Sequence, residues 1–178
     1  MASRIMLLTM LCILFVAGCS DTSDSLKPKE VNSTMKIRST VFQEGGMIPP
    51  KYTADGDNVN PPLTIEGVPP NAVVLALIVD DPDAPMGVWT HWVVFDIPQK
   101  TLYIEEDSIP GIQGMNDFKK NDYGGPSPPS GTHRYQFKLY ALDAKLGLGQ
   151  GARLGDVQKA MKGHVIAESV LIGNYKRK

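Results

Sequence analysis

Residues 72–92 read Ala-Val-Val-Leu-Ala-Leu-Ile-Val-Asp-Asp-Pro-Asp-Ala-Pro-Met-Gly-Val-Trp-Thr-His-Trp. The run Ala72 to Val79 is unbroken apolar sequence between Pro69-Pro70 and a group of acids, which predicts a central strand buried on both faces. A turn rich in carboxylates and prolines follows, and then a second strand from Trp89 to Ile97 that Pro98 stops. Side chains two apart share a strand face, so regular alternation groups Trp89, His91, Val93, Phe95 and Ile97 against Thr90, Trp92, Val94 and Asp96. His91 is therefore expected among apolar neighbours, where an imidazole needs a polar partner. Asp81 and Asp83 are the nearest candidates, although Asp and Pro together also serve plain turn formation.

Working outward, Gly124-Gly125-Pro126-Ser127-Pro128-Pro129-Ser130-Gly131 cannot be ladder strand and is expected to be an ordered loop. It feeds a strand, His133 to Ala141, whose His133, Tyr135, Phe137, Leu139 and Ala141 share one face. Leu154, Val157, Ala160 and Met161 recur at helical spacing ahead of Gly163, and His164 to Ile172 reads as a strand. Met35 to Phe42 predicts a first strand, and Tyr52 to Pro62 is turn-rich and irregular. Thr101 to Asp122 carries no clean period. Many strands, Pro/Gly turns and one late helix predict an all-β antiparallel sandwich with minor helices.

The chain of 178 residues with a net charge of −1 suits one domain and carries no electrostatic footprint for nucleic acid. Residues 1–18 are set apart as a leader: Arg4, an apolar run from Ile5 to Val16, then small residues. Val16-Ala17-Gly18-Cys19 is similar to a bacterial lipobox, which makes Cys19 the lipidated residue and discards Cys12; ordinary secretory cleavage is the alternative. Residues 19–33 then form a polar tether to a domain over 34–178. Ser20 favours the outer membrane's periplasmic face in a Gram-negative cell envelope.

Each histidine alone reads as a satisfied core residue; two at strand starts beside Pro-rich loops point to a shared pocket. Three chemistries could use it. A metal site would need a third ligand such as His164, without supporting spacing. A serine hydrolase could draw on Ser130, His133 and an aspartate, but Pro-Ser-Pro-Pro-Ser-Gly is not a nucleophile elbow. Anion capture needs imidazole N–H groups, glycine amides and a carboxylate that fixes the imidazoles, and every one of these is present.

Asp81-Pro82-Asp83-Ala84-Pro85 with Trp89-Thr90-His91-Trp92, then Gly125-Pro126-Ser127-Pro128-Pro129 leading to His133-Arg134-Tyr135, resembles the two signature regions of the phosphatidylethanolamine-binding proteins, in their bacterial Raf-kinase-inhibitor-like branch. Asp55-Gly56, Asn60-Pro61-Pro62-Leu63, Tyr140-Ala141-Leu142-Asp143 and Gly163-His164-Val165 extend the resemblance over about Thr34 to Tyr175. It implies a two-sheet antiparallel β-sandwich with one or two short helices and a small anion pocket. Ligand-binding residues implied there are Asp81, Pro85, Trp89, His91, Gly125, Pro128, His133 and Tyr135. Ser127 stands where bacterial relatives commonly have cysteine, and Ile65 where tryptophan is usual; both are expected to alter packing more than chemistry. The loop from Pro129 to His133 is shorter than in eukaryotic relatives, which counts against a kinase-docking surface.

The expected function is a membrane-tethered, non-catalytic binding protein for a small phosphate-bearing ligand of phosphoethanolamine type, with a kinase-inhibitor-like regulatory role as the branch implies. In it His91 and His133 donate to the anion, Asp81 orients both rings and the glycine loop adds backbone donors. The alternative is a weak hydrolase on the same pocket. No cofactor is expected, no nucleic acid, and no particular protein partner is named.

Overall fold

The computed structural model describes residues 34–177, so the leader, Cys19 and the whole tether lie outside the described residues. In chain order the elements are β1 (Lys36–Ser39), β2 (Gly46–Met47), a 3-10 turn (Pro50–Tyr52) and β3 (Leu63–Glu66). Then come β4 (Val74–Asp81), β5 (Trp89–Pro98), β6 (Tyr103–Ile104), β7 (Ile112–Gln113), β8 (Thr132–Leu142), α1 (Leu154–Met161) and β9 (Val165–Lys176). One sheet has the order β1-β3-β6 and the other β2-β9-β8-β4-β5-β7. The neighbours pair antiparallel except β2 with β9, which run parallel.

All eight residues of β4 are buried, and its place between β8 and β5 explains why. On its inner face Leu75, Leu77 and Val79 join Leu63 and Ile65 of β3, Val94 of β5, and Phe137 and Leu139 of β8 in the core between the sheets. On its outer face Val74, Ala76 and Ile78 join Val93 and Phe95 of β5, and α1 covers them with Val157 and Met161. An apolar run without alternation is thus the mark of a strand covered on both sides. Ile65 fills the inner core as an ordinary packing residue.

α1 starts and stops where its apolar spacing does. Asp156 lies in its first turn and Lys159 in its last, each favourable to the helix dipole, and Gly163 beyond it takes φ +83°. A different glycine joins the edge of the large sheet. A Cβ on Gly173 would come within 2.5 Å of Ile48 Cγ1 and 2.8 Å of Phe42 Cε2, so only hydrogen lets β2 and its flanks close on β9.

The structure corrects the alternation expected for β5. Val79 faces Trp92 while Asp80 faces Thr90, so β5 carries one surplus residue, His91, in a β-bulge. A second surplus lies between Val94, opposite Leu77, and Ile97, opposite Leu75; Asp96 there takes φ +51°. Between the bulges alternation holds, with Val93 and Phe95 outward and Trp92 and Val94 inward. Beyond them it shifts: Ile97 joins the inner core, and His91 packs against the inner-face ring of Tyr135. His91 therefore does not share a face with Val93 and Phe95. A bulge adds a residue without changing composition, so simple period counting passes over it.

Leu77 has no exposed surface and sits between the sheets. Leu77→Ala is expected to cost about 2–5 kcal/mol in urea unfolding, against under about 0.5 kcal/mol for Val88→Ser at an exposed turn. Equal effects would contradict this placement of the core.

Candidate functional site

At one end of the large sheet the inner face turns polar. Asp81 ends β4, Trp89 faces it across the ladder at the start of β5, and His133 and Tyr135 continue the inner face of β8. The bulge adds His91 to the same face. Asp81, His91 and His133 are almost wholly buried, at 3, 3 and 7 % exposure. Two strands far apart in sequence thus bring both histidines to the same face as Asp81.

Each imidazole has its own holder, and this differs from the expected arrangement. His133 Nδ1 donates to Asp81 Oδ2 at 2.7 Å, while the other oxygen of Asp81 accepts the Asp83 amide at 2.9 Å. His91 Nδ1 instead donates to the Gly124 carbonyl at 2.6 Å, and the Gly124 amide returns a bond to the His91 carbonyl at 3.0 Å. Asp81 orients one ring and the loop backbone orients the other. With Nδ1 carrying the proton in both rings, Nε2 of a neutral imidazole is an acceptor and becomes a donor only on protonation. Burial holds the pKa of His91 below the ordinary histidine value of 6.5, opposed by its bond to Gly124 and the charge of Asp81.

Around these groups lies a hollow of about 360 Å³ lined by Asp81, Ala84, Pro85, Met86, Trp89, His91, Phe118, Ser127 and Pro129. Its walls are mainly apolar, and of the expected residues His133 and Tyr135 are not among them. The Tyr135 hydroxyl, buried beside Asp81 and the Ser127 backbone, has no partner with hydrogen-bond geometry. Burial drives its pKa upward, so it stays a protonated donor. A buried, unpaired hydroxyl is costly unless something accepts from it.

The remaining expected residues fall in different places. Pro85 and Trp89 line the hollow; Pro128 is buried behind it, with Pro129 at the surface instead. Gly125 is not among its walls. The Gly125 amide donates to Asn58 Oδ1 at 2.8 Å, and a Cβ there would meet the Thr53 backbone at 2.8 Å. Gly124 and Gly125 amides are thus both committed within the fold, and the glycines serve close approach of chain segments. Asp83 belongs to the rim: Arg134 grips it through Nε at 2.9 Å and Nη2 at 2.6 Å, and its pKa falls to about 2. That link pins the carboxylate turn to the start of β8. Ser130 is exposed at the loop tip and takes no part in the hollow.

Sequence reasoning missed Phe118 and placed Ser127 among packing effects, yet both line the hollow. Phe118 meets His91 edge-on at 5.3 Å and Trp89 at 5.5 Å, so His91 stands between the rings of Phe118 and Tyr135. Asn116 makes this possible. Its buried side chain donates to the carbonyls of His91 and Asp122 and accepts the Lys120 amide, tightening a turn in which Lys119 takes φ +63°. Among the described residues no group of three His, Cys, Asp or Glu side chains converges as a metal site would require.

The profile of the phosphatidylethanolamine-binding protein family matches residues 38–176. A UPF0098 protein of Methanothermobacter thermautotrophicus is 51 % identical over 150 residues, covering 80 % of this chain and 99 % of its own. A second, from Pyrococcus horikoshii, is 46 % identical over 159 residues, covering 84 % of this chain and 80 % of its own. The crystal structure of a phosphatidylethanolamine-binding protein homologue from Chlamydia trachomatis superposes with a TM-score of 0.79 at 37 % identity, covering 81 % of this chain and 98 % of that one. That of E. coli YbcL, described as a member of the mammalian family, gives 0.75 at 30 % identity, covering 81 % and 99 %. With this profile, these relatives and a two-sheet fold in common, the chain belongs to the phosphatidylethanolamine-binding protein family.

Proposed function

We propose that this chain is a membrane-tethered binding protein, not an enzyme, whose hollow takes a small phosphate-bearing anion such as a phospholipid headgroup or a phosphorylated side chain. The observation that carries the reading is the apolar-walled hollow with His91 among its walls, against whose ring packs the buried Tyr135, its hydroxyl without a partner of hydrogen-bond geometry. An oxyanion would accept from that hydroxyl and from the ring of His91 once protonated. Asp81 lines the hollow, but its oxygens accept from His133 and from the Asp83 amide, which partly offset its charge toward an anion. The tether and a bacterial cell-envelope location are supported by Val16-Ala17-Gly18-Cys19 and the polar segment after it. A kinase-inhibitor-like role would use the same pocket as a sensor for phosphorylated groups.

The pH dependence follows from His91. Burial lowers its pKa below 6.5, so the ring is neutral at neutral pH and supplies a second donor only in acid. Anion affinity should rise as pH falls below about 6.5, and the bound anion should in turn raise the His91 pKa. Phosphoethanolamine titrates in this range itself, so sulfate, which does not, serves as the control. NMR titration of both ligands should shift the His91 ring and the Tyr135 signals, with a pH dependence that His91→Ala flattens. Shifts confined to remote residues would refute the site.

The anchor has its own test. Acyl chains contribute roughly 0.8 kcal/mol per buried methylene, enough to hold a multiply acylated cysteine at a bilayer. Cys19→Ser should move the protein from the membrane pellet to the soluble fraction; a variant that still sediments with membranes contradicts the tether.

A further inference from the structure

A second hollow, of about 330 Å³, opens beside the first and shares two of its walls, Phe118 and Ser127. Its character is different. Asn58, Lys120 and Asp122 line it together with the backbone of Gly124 and Gly125. Lys120 and Asp122 are both exposed, and each is hydrogen-bonded only through its main chain among the described residues. Two residues of opposite charge therefore border one small space, with no side-chain partner among the described residues. Asn58, at φ +58°, spends its oxygen on the Gly125 amide and leaves its amide nitrogen free on the same side.

Phe118 is the partition between the two spaces, and it is not loosely placed. The Asn116 turn carries it, Asp117 Oδ2 accepts the Thr90 amide at 2.7 Å, and the Asp117 amide returns a bond to the Thr90 carbonyl. The ring thus stands fixed against Trp89 and His91 on one side while its other contacts open to Lys120 and Asp122. A ligand seated at His91 and extending past Phe118 leaves apolar walls for charged ones. A hydrocarbon chain gains nothing along that route, because it would desolvate Lys120 and Asp122 without pairing them.

We infer that the second hollow is a subsite for the zwitterionic end of the ligand, so that the preferred ligand joins a phosphate to an amino-acid-like ammonium and carboxylate, with Lys120 meeting the carboxylate and Asp122 the ammonium. The inference rests on the anion reading of the first hollow and adds the chemistry of what is attached to the phosphate. The same group occurs free, as a phosphomonoester, and as a diester headgroup on a lipid.

The test measures binding of inorganic phosphate, O-phosphoserine and glycerophosphoserine to the full chain by NMR, in wild type and in the Lys120→Ala and Asp122→Asn variants. Both positions are exposed, so neither substitution disturbs the core. O-phosphoserine should bind more tightly than phosphate, and each variant should lower that ratio about threefold or more. Glycerophosphoserine sharing the advantage assigns the subsite to a headgroup; O-phosphoserine alone holding it assigns the free monoester. If phosphate still shifts the His91 ring but the ratio is the same in wild type and both variants, the subsite is overturned and the anion pocket stands. If none of the three ligands shifts the His91 ring, both readings fall.

Discussion

One extra residue in β5 governs the site. Without the bulge at His91, the ladder of Val79 with Trp92 would pair Asp80 with His91 and turn the imidazole toward the face that α1 covers. With it, the imidazole turns back under Tyr135 and onto the face where Asp81 and His133 already sit. The bulge is in turn held by what surrounds it: Gly124 bonds both the ring and the carbonyl of His91, and Asn116 bonds that carbonyl again. Bulges re-aim side chains next to functional sites in many sheets, and this one does so at the cost of one ladder position.

Rigid loops follow from the same arrangement. Tyr123, almost buried, donates to the Tyr52 carbonyl and stacks edge-on with Trp92, tying the segment before the glycines to the core. Gly125 lets that segment touch the Thr53 backbone, and Arg134 clamps the carboxylate turn through Asp83. The backbone course around both hollows is therefore set by main-chain bonds and buried polar side chains, while Met86, Lys120 and Asp122 stay exposed on their walls. Pre-organisation of this kind reduces the ordering cost that a small ligand must overcome. The outer face carries a separate polar feature, Asp80, whose burial raises its pKa and whose one bonded oxygen meets Lys138 at 2.7 Å.

Much of this was legible in the residues. The apolar run of β4, the alternation of β8 and the spacing of α1 each report a burial pattern, and burial is what hydrophobic sequence encodes directly. His133 was legible as a polar residue in apolar phase and Asp81 as the acid ending a buried strand, whereas His91 was singled out on a phase that the bulge shifts. The partners were not legible. His91 bonds a backbone carbonyl, and a carbonyl belongs to every residue, so nothing in the sequence singles out Gly124. β6 and β7 are two residues long each, too short for a period, and the segment holding Phe118 is shaped by the Asn116 side chain instead of by hydrophobic rhythm. Reading glycines as donors failed for a related reason: an amide can serve a ligand only if the fold has not already claimed it, and here Asn58 and His91 have.

A crystal structure of the protein grown in acid with phosphoethanolamine tests the central claim most directly. The account predicts phosphate density in the first hollow, within hydrogen-bond distance of both His91 Nε2 and the Tyr135 hydroxyl. Density that sits elsewhere, or a Tyr135 hydroxyl satisfied by the protein itself with the hollow collapsed over it, would contradict it.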